Sequence, residues 1–173
     1  LGLQTADAQS AAFIRRGYPL SVFTQAVYAL AERNIPVVVH IILGLPGESR
    51  ETVLRTIDYL NRLPIQGVKL QLLHVLSDSD LADLYRAGEY TPLEKEEYLT
   101  LVGDCIAHLR ADIVLHRLTG DGDKNTLLAP LWSLRKRDVL NRLHRYLKEN
   151  HIRQGMSCKI DLSVIYNKPK DVL

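Results

Sequence analysis

The sequence is short of the residues that mark special environments. Its 173 residues include two cysteines, one tryptophan, one methionine and two phenylalanines. Two cysteines, Cys105 and Cys158, exclude a disulfide scaffold and any metal site built from the cysteines of this chain alone. No apolar run approaches the ~18 residues of a membrane-spanning helix. The opening LGLQTADAQS lacks the charged and apolar regions of a signal peptide. Charge of one sign is also missing: 22 Lys and Arg stand against 20 Asp and Glu, a formal charge of +2. A strongly basic nucleic-acid arm is therefore not the dominant feature. Gly-x-Ser-x-Gly, His-Glu-x-x-His, Cys-x-x-Cys and a Walker Gly-Lys-Ser/Thr do not occur. What is present, 46% hydrophobic and 24% charged residues, is the composition of a folded domain. Its length suits one domain that buries roughly two-thirds of its unfolded surface. We expect a soluble, cytoplasmic protein. A first residue other than Met, inside what reads as the end of a strand, leads us to expect a piece of a longer chain.

The first half alternates helix and strand signals. Ser21 is a candidate cap for a helix with Val22, Phe23, Ala26, Val27 and Leu30 at helical spacing, ended by Asn34 and Pro36. Ile35 to Leu43 (IPVVVHIIL) is β-branched and apolar, as in a strand buried on both faces. The turn GLPGES follows, and Ser49 can cap a helix that buries Val53, Leu54, Ile57 and Leu60. Gly67 to Leu76 (GVKLQLLHVL) reads as the next strand. This order predicts right-handed βαβ units and a parallel sheet. The second half begins with an acidic stretch, 78–97, and a helix from Pro92 to about Arg110. DIVLHRL (112–118) reads as a short strand, GDGDKN as a turn, and Ser133 to Asn150 as a helix with a basic outer face. The tail KIDLSVIYNKP is expected to form a last strand.

Several residues can carry chemistry. In α/β folds, ligands lie at the carboxyl ends of the strands, where GLPGES falls. Gly44 and Gly47 would let backbone approach a ligand, and the following helix start offers free N–H groups. An ordinary βα turn would use the same residues. His40 is the one polar residue of its strand, about 13 Å below Gly44 at ~3.3 Å per residue. It is either a satisfied core histidine or a side chain pointing into a crevice. His74 ends the next strand, on the opposite face from Lys69 and Gln71. Arg117, Thr119 and Asp121 fall on one face of HRLTGDGDKN, where Arg117 can meet a phosphate or carboxylate, or pair with Asp121 to hold the turn. The basic helix 135–153 carries seven Lys or Arg and can bind RNA or an acidic partner, or form a solvated face. Trp132 would anchor its start, and Cys105 reads as a buried thiol.

In combination, these residues resemble the carboxyl-terminal half of a radical SAM enzyme. LGLQTAD is similar to the fourth strand of that family's barrel, and RRG to the turn after its helix. VVVHIILGLPGES resembles the fifth strand with its adenosyl-contacting loop, and GVKLQLLHVL the sixth. HRLTGDG and APLWSLRKRDVLN resemble the extension of the YhcC-type radical SAM proteins. The resemblance covers about 155 residues and stops near Gly155. It implies an α/β fold, the second half of a partial parallel (β/α) barrel over 1–91, with an α+β extension over 92–173. It implies a parent Fe–S oxidoreductase or transferase in which a 4Fe–4S cluster, held by a Cys-x-x-x-Cys-x-x-Cys loop, binds S-adenosylmethionine. One electron cleaves that sulfonium to methionine and a 5′-deoxyadenosyl radical, which takes a hydrogen from a substrate.

The same resemblance implies site roles. Gln4 would lie near the ribose and Arg16 would face the methionyl carboxylate. His40 stands where the related coproporphyrinogen oxidases have a ribose-binding Asp. Ile42 and Gly44 would pack on the adenine, Glu48 would close the loop motif, and backbone from His74 to Leu76 would contact the adenine edge. The cluster-binding cysteines are absent, so this chain alone is expected to be inert. A half barrel exposes an edge, so it is expected to dimerise or pack tightly. The substrate stays open, with RNA among the possibilities. Two other readings stay open as well: an RNA- or protein-binding module built on helix 135–153, and a non-radical α/β domain holding a phosphate-sized ligand at Gly44 to Ser49.

Overall fold

The computed structural model describes residues 1–120 and 122–160. Four strands, β1 (Gly2–Gln4), β2 (Val38–Leu43), β3 (Gly67–Leu72) and β5 (Val114–Arg117), form one sheet in the order β1-β2-β3-β5. Every pairing in it is parallel, with Val38 to Leu43 in unbroken register with Gly67 to Leu72. A second sheet pairs β4 (Val75–Leu76) with β6 (Leu127–Ala129), antiparallel. The helices are α1 (Ala8–Phe13), α2 (Leu20–Ala31), α3 (Arg50–Leu60), α4 (Asp80–Arg86), α5 (Lys95–His108) and α6 (Lys136–Glu149). A short 3-10 turn, Leu131–Leu134, leads into α6. The fold is mixed α/β with a mostly parallel sheet. The strand expected in KIDLSVIYNKP falls almost wholly outside the described residues.

Strand alternation sorts the sheet into two unlike faces. Val39, Ile41, Leu43, Val68, Leu70 and Leu72 are buried and meet Phe23 and Val27 of α2, Ile57 and Leu60 of α3, and Val102 and Ile106 of α5. This core draws on residues from Leu3 to Leu143, so it runs through both halves of the chain. The other face carries Val38, His40, Ile42, Lys69 and Gln71, all only half-buried. The apolar run IPVVVHIIL thus reads as a strand covered on both faces, yet among the described residues helices cover only one. A run without alternation cannot reveal which face lacks its cover.

The helices follow their local signals closely. Ser49 caps α3, its hydroxyl accepting from Thr52 N–H at 3.3 Å. Glu94 and Glu97 close a capping box at the start of α5. Trp132 packs on Tyr98 with ring centroids 5.6 Å apart and donates to the Leu93 carbonyl, so it fastens the entry to α6. Cys105 is fully buried in α5, and burial pushes its thiol pKa well above the ordinary value. Helix α2 departs from expectation at its start. Pro19, with no side-chain cap bond, precedes it, and Val22 is 47% exposed on its outer side.

Candidate active-site cleft

The strands β1, β2 and β3 run parallel, so their carboxyl ends open on one side of the sheet. A cleft of about 600 Å³ lies there, lined mainly by Phe13 of α1, Leu45 and Pro46 of the GLPGES turn, and Leu73, His74 and Leu76 after β3. Its walls are mostly apolar, and helix α4 closes the far side through Leu81 and Leu84. Arg15 and Asp80 form an exposed ion pair at the cleft.

Each wall is held by contacts that the fold supplies. Gly44 adopts φ +91°, a conformation that side chains rarely take. A Cβ there would stand 3.1 Å from Leu93, and the Tyr90 hydroxyl donates to the Gly44 carbonyl at 2.8 Å. Burial pushes the Tyr90 hydroxyl up to about 12, so it remains a donor. The crowding at Gly44 therefore comes from this chain's own side chains. The His74 ring lies against two further glycines: a Cβ at Gly120 would fall 2.5 Å from its Cε1, and one at Gly122 3.2 Å from its Nδ1. Gly120 and Gly122 of HRLTGDG thus back the His74 side of the cleft. Asp121, between those glycines, lies outside the described residues. Thr119 is buried.

The remaining sequence candidates fall in two places. Gln4 ends β1 at φ +60°, and with its amide nitrogen turned inward it donates to the Leu3 and Gly2 carbonyls at 2.9 and 3.0 Å. Arg16 donates to the carbonyls of Leu3 (3.1 Å), Thr5 (2.6 Å) and Tyr18 (3.2 Å). As folded, it ties the end of β1 to the turn after α1. His40 and Ile42 lie on the half-buried sheet face, beside Lys69 and Gln71. Burial, then the charges of Lys69, the Leu1 amino group and Arg117, hold the His40 imidazole below its ordinary pKa. The cleft thus gathers His74 and Leu76, while Gly44, Gln4, Arg16, His40 and Ile42 lie outside its lining.

Phe13, Leu73, Leu81 and Leu84 are cleft residues that sequence reasoning missed. The first signal was available, because Asp7 caps α1 by accepting from Ser10 N–H at 2.9 Å. The basic helix is partly engaged by its neighbour. Arg142 reaches Glu96 at 2.7 Å and Lys95 reaches Asp138 at 3.1 Å, both joining α6 to α5.

Glu48, on the GLPGES turn, lines the groove between α3 and α5, and Thr5 Oγ1 donates to it at 2.5 Å. Desolvation raises its pKa, outweighing the hydrogen bond from Thr5. The native state therefore binds a proton more readily than the unfolded chain, and stability falls as pH rises from the ordinary Glu value through the raised one. Glu48→Gln keeps an acceptor for Thr5 and removes that charge. We expect its unfolding midpoint to exceed the parent's at neutral pH and to converge with it at low pH. Parallel midpoints at both pH values would disprove the account.

Comparison with known proteins finds this chain similar to the carboxyl-terminal half of radical SAM proteins. Residues 65–149 match the family described as the Radical_SAM C-terminal domain. The chain is 33% identical over 155 residues to YtqA of Bacillus subtilis, covering 90% of this chain and 48% of that protein. It is 32% identical over 152 residues to YhcC of Escherichia coli, covering 88% and 49%. The chain thus spans about half the length of the curated relatives it matches. The solved structure of the archaeal Methanocaldococcus infernus Elp3 superposes with a TM-score of 0.76 at 17% identity, over 89% of this chain and 36% of that one, a likeness of fold.

No cluster can be housed within this chain. Cys105 is sealed in the core, Cys158 accepts from Asn61 Nδ2 at 3.7 Å, and the sequence has no third cysteine. Among the described residues, no group of three or more His, Cys, Asp or Glu is placed to hold a metal, and no helix is long and apolar enough to cross a membrane.

Proposed function

We propose that this chain is the adenosine-binding half of a radical SAM enzyme. The observation that carries the reading is the cleft itself. It joins the turn after β2 to the segment after β3, both at strand carboxyl ends, in a volume and with an apolar lining suited to a nucleoside. Leu45, Pro46 and Leu76 would pack on the adenine, and backbone from His74 to Leu76 would meet its polar edge. Gln4 and His40, nearer the sheet face, are the candidates for the ribose. Arg16, already committed to three carbonyls, positions the end of β1, and would meet the methionyl carboxylate only by exchanging one of them.

In this reading the half-buried face of the sheet is the lumen of a parallel barrel, which the rest of a longer chain would close. Bound S-adenosylmethionine supplies, on one-electron reduction, methionine and a 5′-deoxyadenosyl radical. The residues here hold the adenosine, fix its orientation and keep water out. The iron–sulfur cluster would have to be held by residues outside this chain.

The test uses the full-length protein, purified and reconstituted without oxygen. After reduction with dithionite and addition of S-adenosylmethionine, cluster-dependent 5′-deoxyadenosine is the expected product. A parent that binds no cluster and forms none would end the radical reading.

A further inference from the structure

We propose that the outer face of α6, with the turn that ends it, binds the phosphate backbone of a nucleic-acid strand. Asn150 follows the last residue of α6, and His151 after it takes φ +53°. The His151 N–H donates to the Lys148 carbonyl at 3.2 Å, and the Ile152 N–H to the Leu147 carbonyl at 2.9 Å. This pair of bonds is the Schellman reversal, whose left-handed position usually holds glycine. The chain doubles back, so that Lys148, His151 and Arg153 line a cavity of about 500 Å³ together with Leu147 and Ile152. Leu147 and Ile152 also pack on the main core, which gives the three basic side chains a fixed floor.

The turn does not need these side chains for its own closure. Lys, Arg and His often answer the last carbonyls of a helix. Here backbone and amide groups answer them instead: Tyr146 accepts from the Asn150 N–H at 3.0 Å and from Asn150 Nδ2 at 2.9 Å, beside the two bonds of the reversal. Lys148 and Arg153 are exposed and, among the described residues, enter no ion pair. An L side chain at φ +53° is strained where glycine would not be. The sequence accepts that strain and keeps an imidazole at the cavity.

The cavity continues a stripe along the helix. At about 100° per residue, Arg137, Asn141, His144, Arg145 and Lys148 fall on one side of α6, opposite the buried Val139 and Leu143. All five are exposed. The acids of the helix, Asp138 and Glu149, fall on the flank that Arg142 shares, where Arg142 pairs with Glu96 and Asp138 with Lys95 of α5. From Arg137 to Lys148 the stripe runs ~17 Å at ~1.5 Å per residue. That length spans several phosphates of one strand. The stripe holds no apolar side chain, whereas a protein interface is built around an apolar core. Nucleic-acid interfaces are polar and positively charged, so a phosphate strand fits this face better than an acidic protein does. None of these residues lines the cleft, so the proposal stands apart from the adenosine reading.

The experiment is fluorescence anisotropy of a labelled single-stranded RNA oligonucleotide with the full-length protein, over a range of salt. Affinity is expected to fall as salt rises. Arg145→Gln, Lys148→Gln and Arg153→Gln should each weaken binding on the order of threefold, the worth of one exposed charge pair. Each should also lower the slope of log affinity against log salt by about 0.7. Arg33→Gln, just past α2, should change neither. His151→Gly should bind RNA less tightly yet unfold at or above the parent's thermal midpoint, since glycine takes φ +53° without strain. That variant separates the site from the fold. A folded parent that binds no RNA would overturn the proposal, as would glutamine variants that bind it like the parent. Inorganic phosphate bound without RNA would mark a small-anion site, and poly-glutamate bound in place of RNA an acidic-protein surface. Either result would overturn the assignment to a nucleic-acid strand.

Discussion

Replacing Arg110 with methionine is expected to cost roughly 3–5 kcal/mol of folding stability, the scale of breaking a buried ionic network. Arg110 is 2% exposed, the largest side chain sealed in this core. Its guanidinium donates to the Asn61 and Ile65 carbonyls at 2.9 Å each and pairs with Asp112 at 3.0 Å. Its own N–H donates to Asn61 Oδ1 at 2.9 Å, while Asn61 Nδ2 donates to the His108 carbonyl at 2.8 Å. Asn61 follows the last residue of α3, and His108 ends α5. One arginine and one asparagine thus answer the orphan carbonyls where two helices end beside the entry to β3. Methionine fills much of the volume but leaves two buried carbonyls without donors. A loss of this size would consume a large share of the ~5–15 kcal/mol that holds a typical domain. Arg110→Lys should recover only part of it, because an ammonium lacks the flat fork that reaches both carbonyls. Urea unfolding midpoints decide the matter. A methionine variant within 1 kcal/mol of the parent would show that the network is dispensable.

Arg110 also marks where sequence reading stopped. A charged residue just past a helix reads as solvated, and the two carbonyls it answers, on Asn61 and Ile65, lie more than forty positions away. Where a signal is local, the sequence was clear. The Ser49 cap, the GLPGES turn, the buried stripe of α3 and the strand VVHIIL all stand where residue type alone places them. Helix α1 is six residues long and holds too few apolar positions for a period to show. Strands β4 and β6, of two and three residues, are too short to alternate. Their pairing comes from the chain crossing back over the strand ends, which no local pattern encodes. The same holds for His74, where the strand end was legible but the two glycines against its ring were not. The site was legible as loops at strand ends, and its far wall, built by α4, was not.

Leu76→Trp in the full-length protein is expected to lower the affinity for S-adenosylmethionine on the order of a hundredfold, with 5′-deoxyadenosine formation at limiting cofactor falling in step. Leu76 lines the cleft and is only half-buried, so an indole can extend into the open volume without displacing the core. The magnitude follows from area. An adenine covers roughly 120 Å², worth about 3 kcal/mol at ~25 cal/mol per Å², and 1.4 kcal/mol is about tenfold in binding. Leu84→Trp, from the opposite wall, should give the same result, because both fill one space. Thermal midpoints near the parent's would show that occupancy and not unfolding is responsible. Variants that bind the cofactor as the parent does would place adenosine elsewhere. The nearest alternative is the groove between α3 and α5, about 480 Å³ in volume and bordered by Glu96, Glu97 and Asp104. That groove is the weaker candidate on charge. Glu48, Glu96, Glu97 and Asp104 line it against Arg50 alone, which is already paired with Asp104, so the excess of carboxylates would repel the methionyl carboxylate.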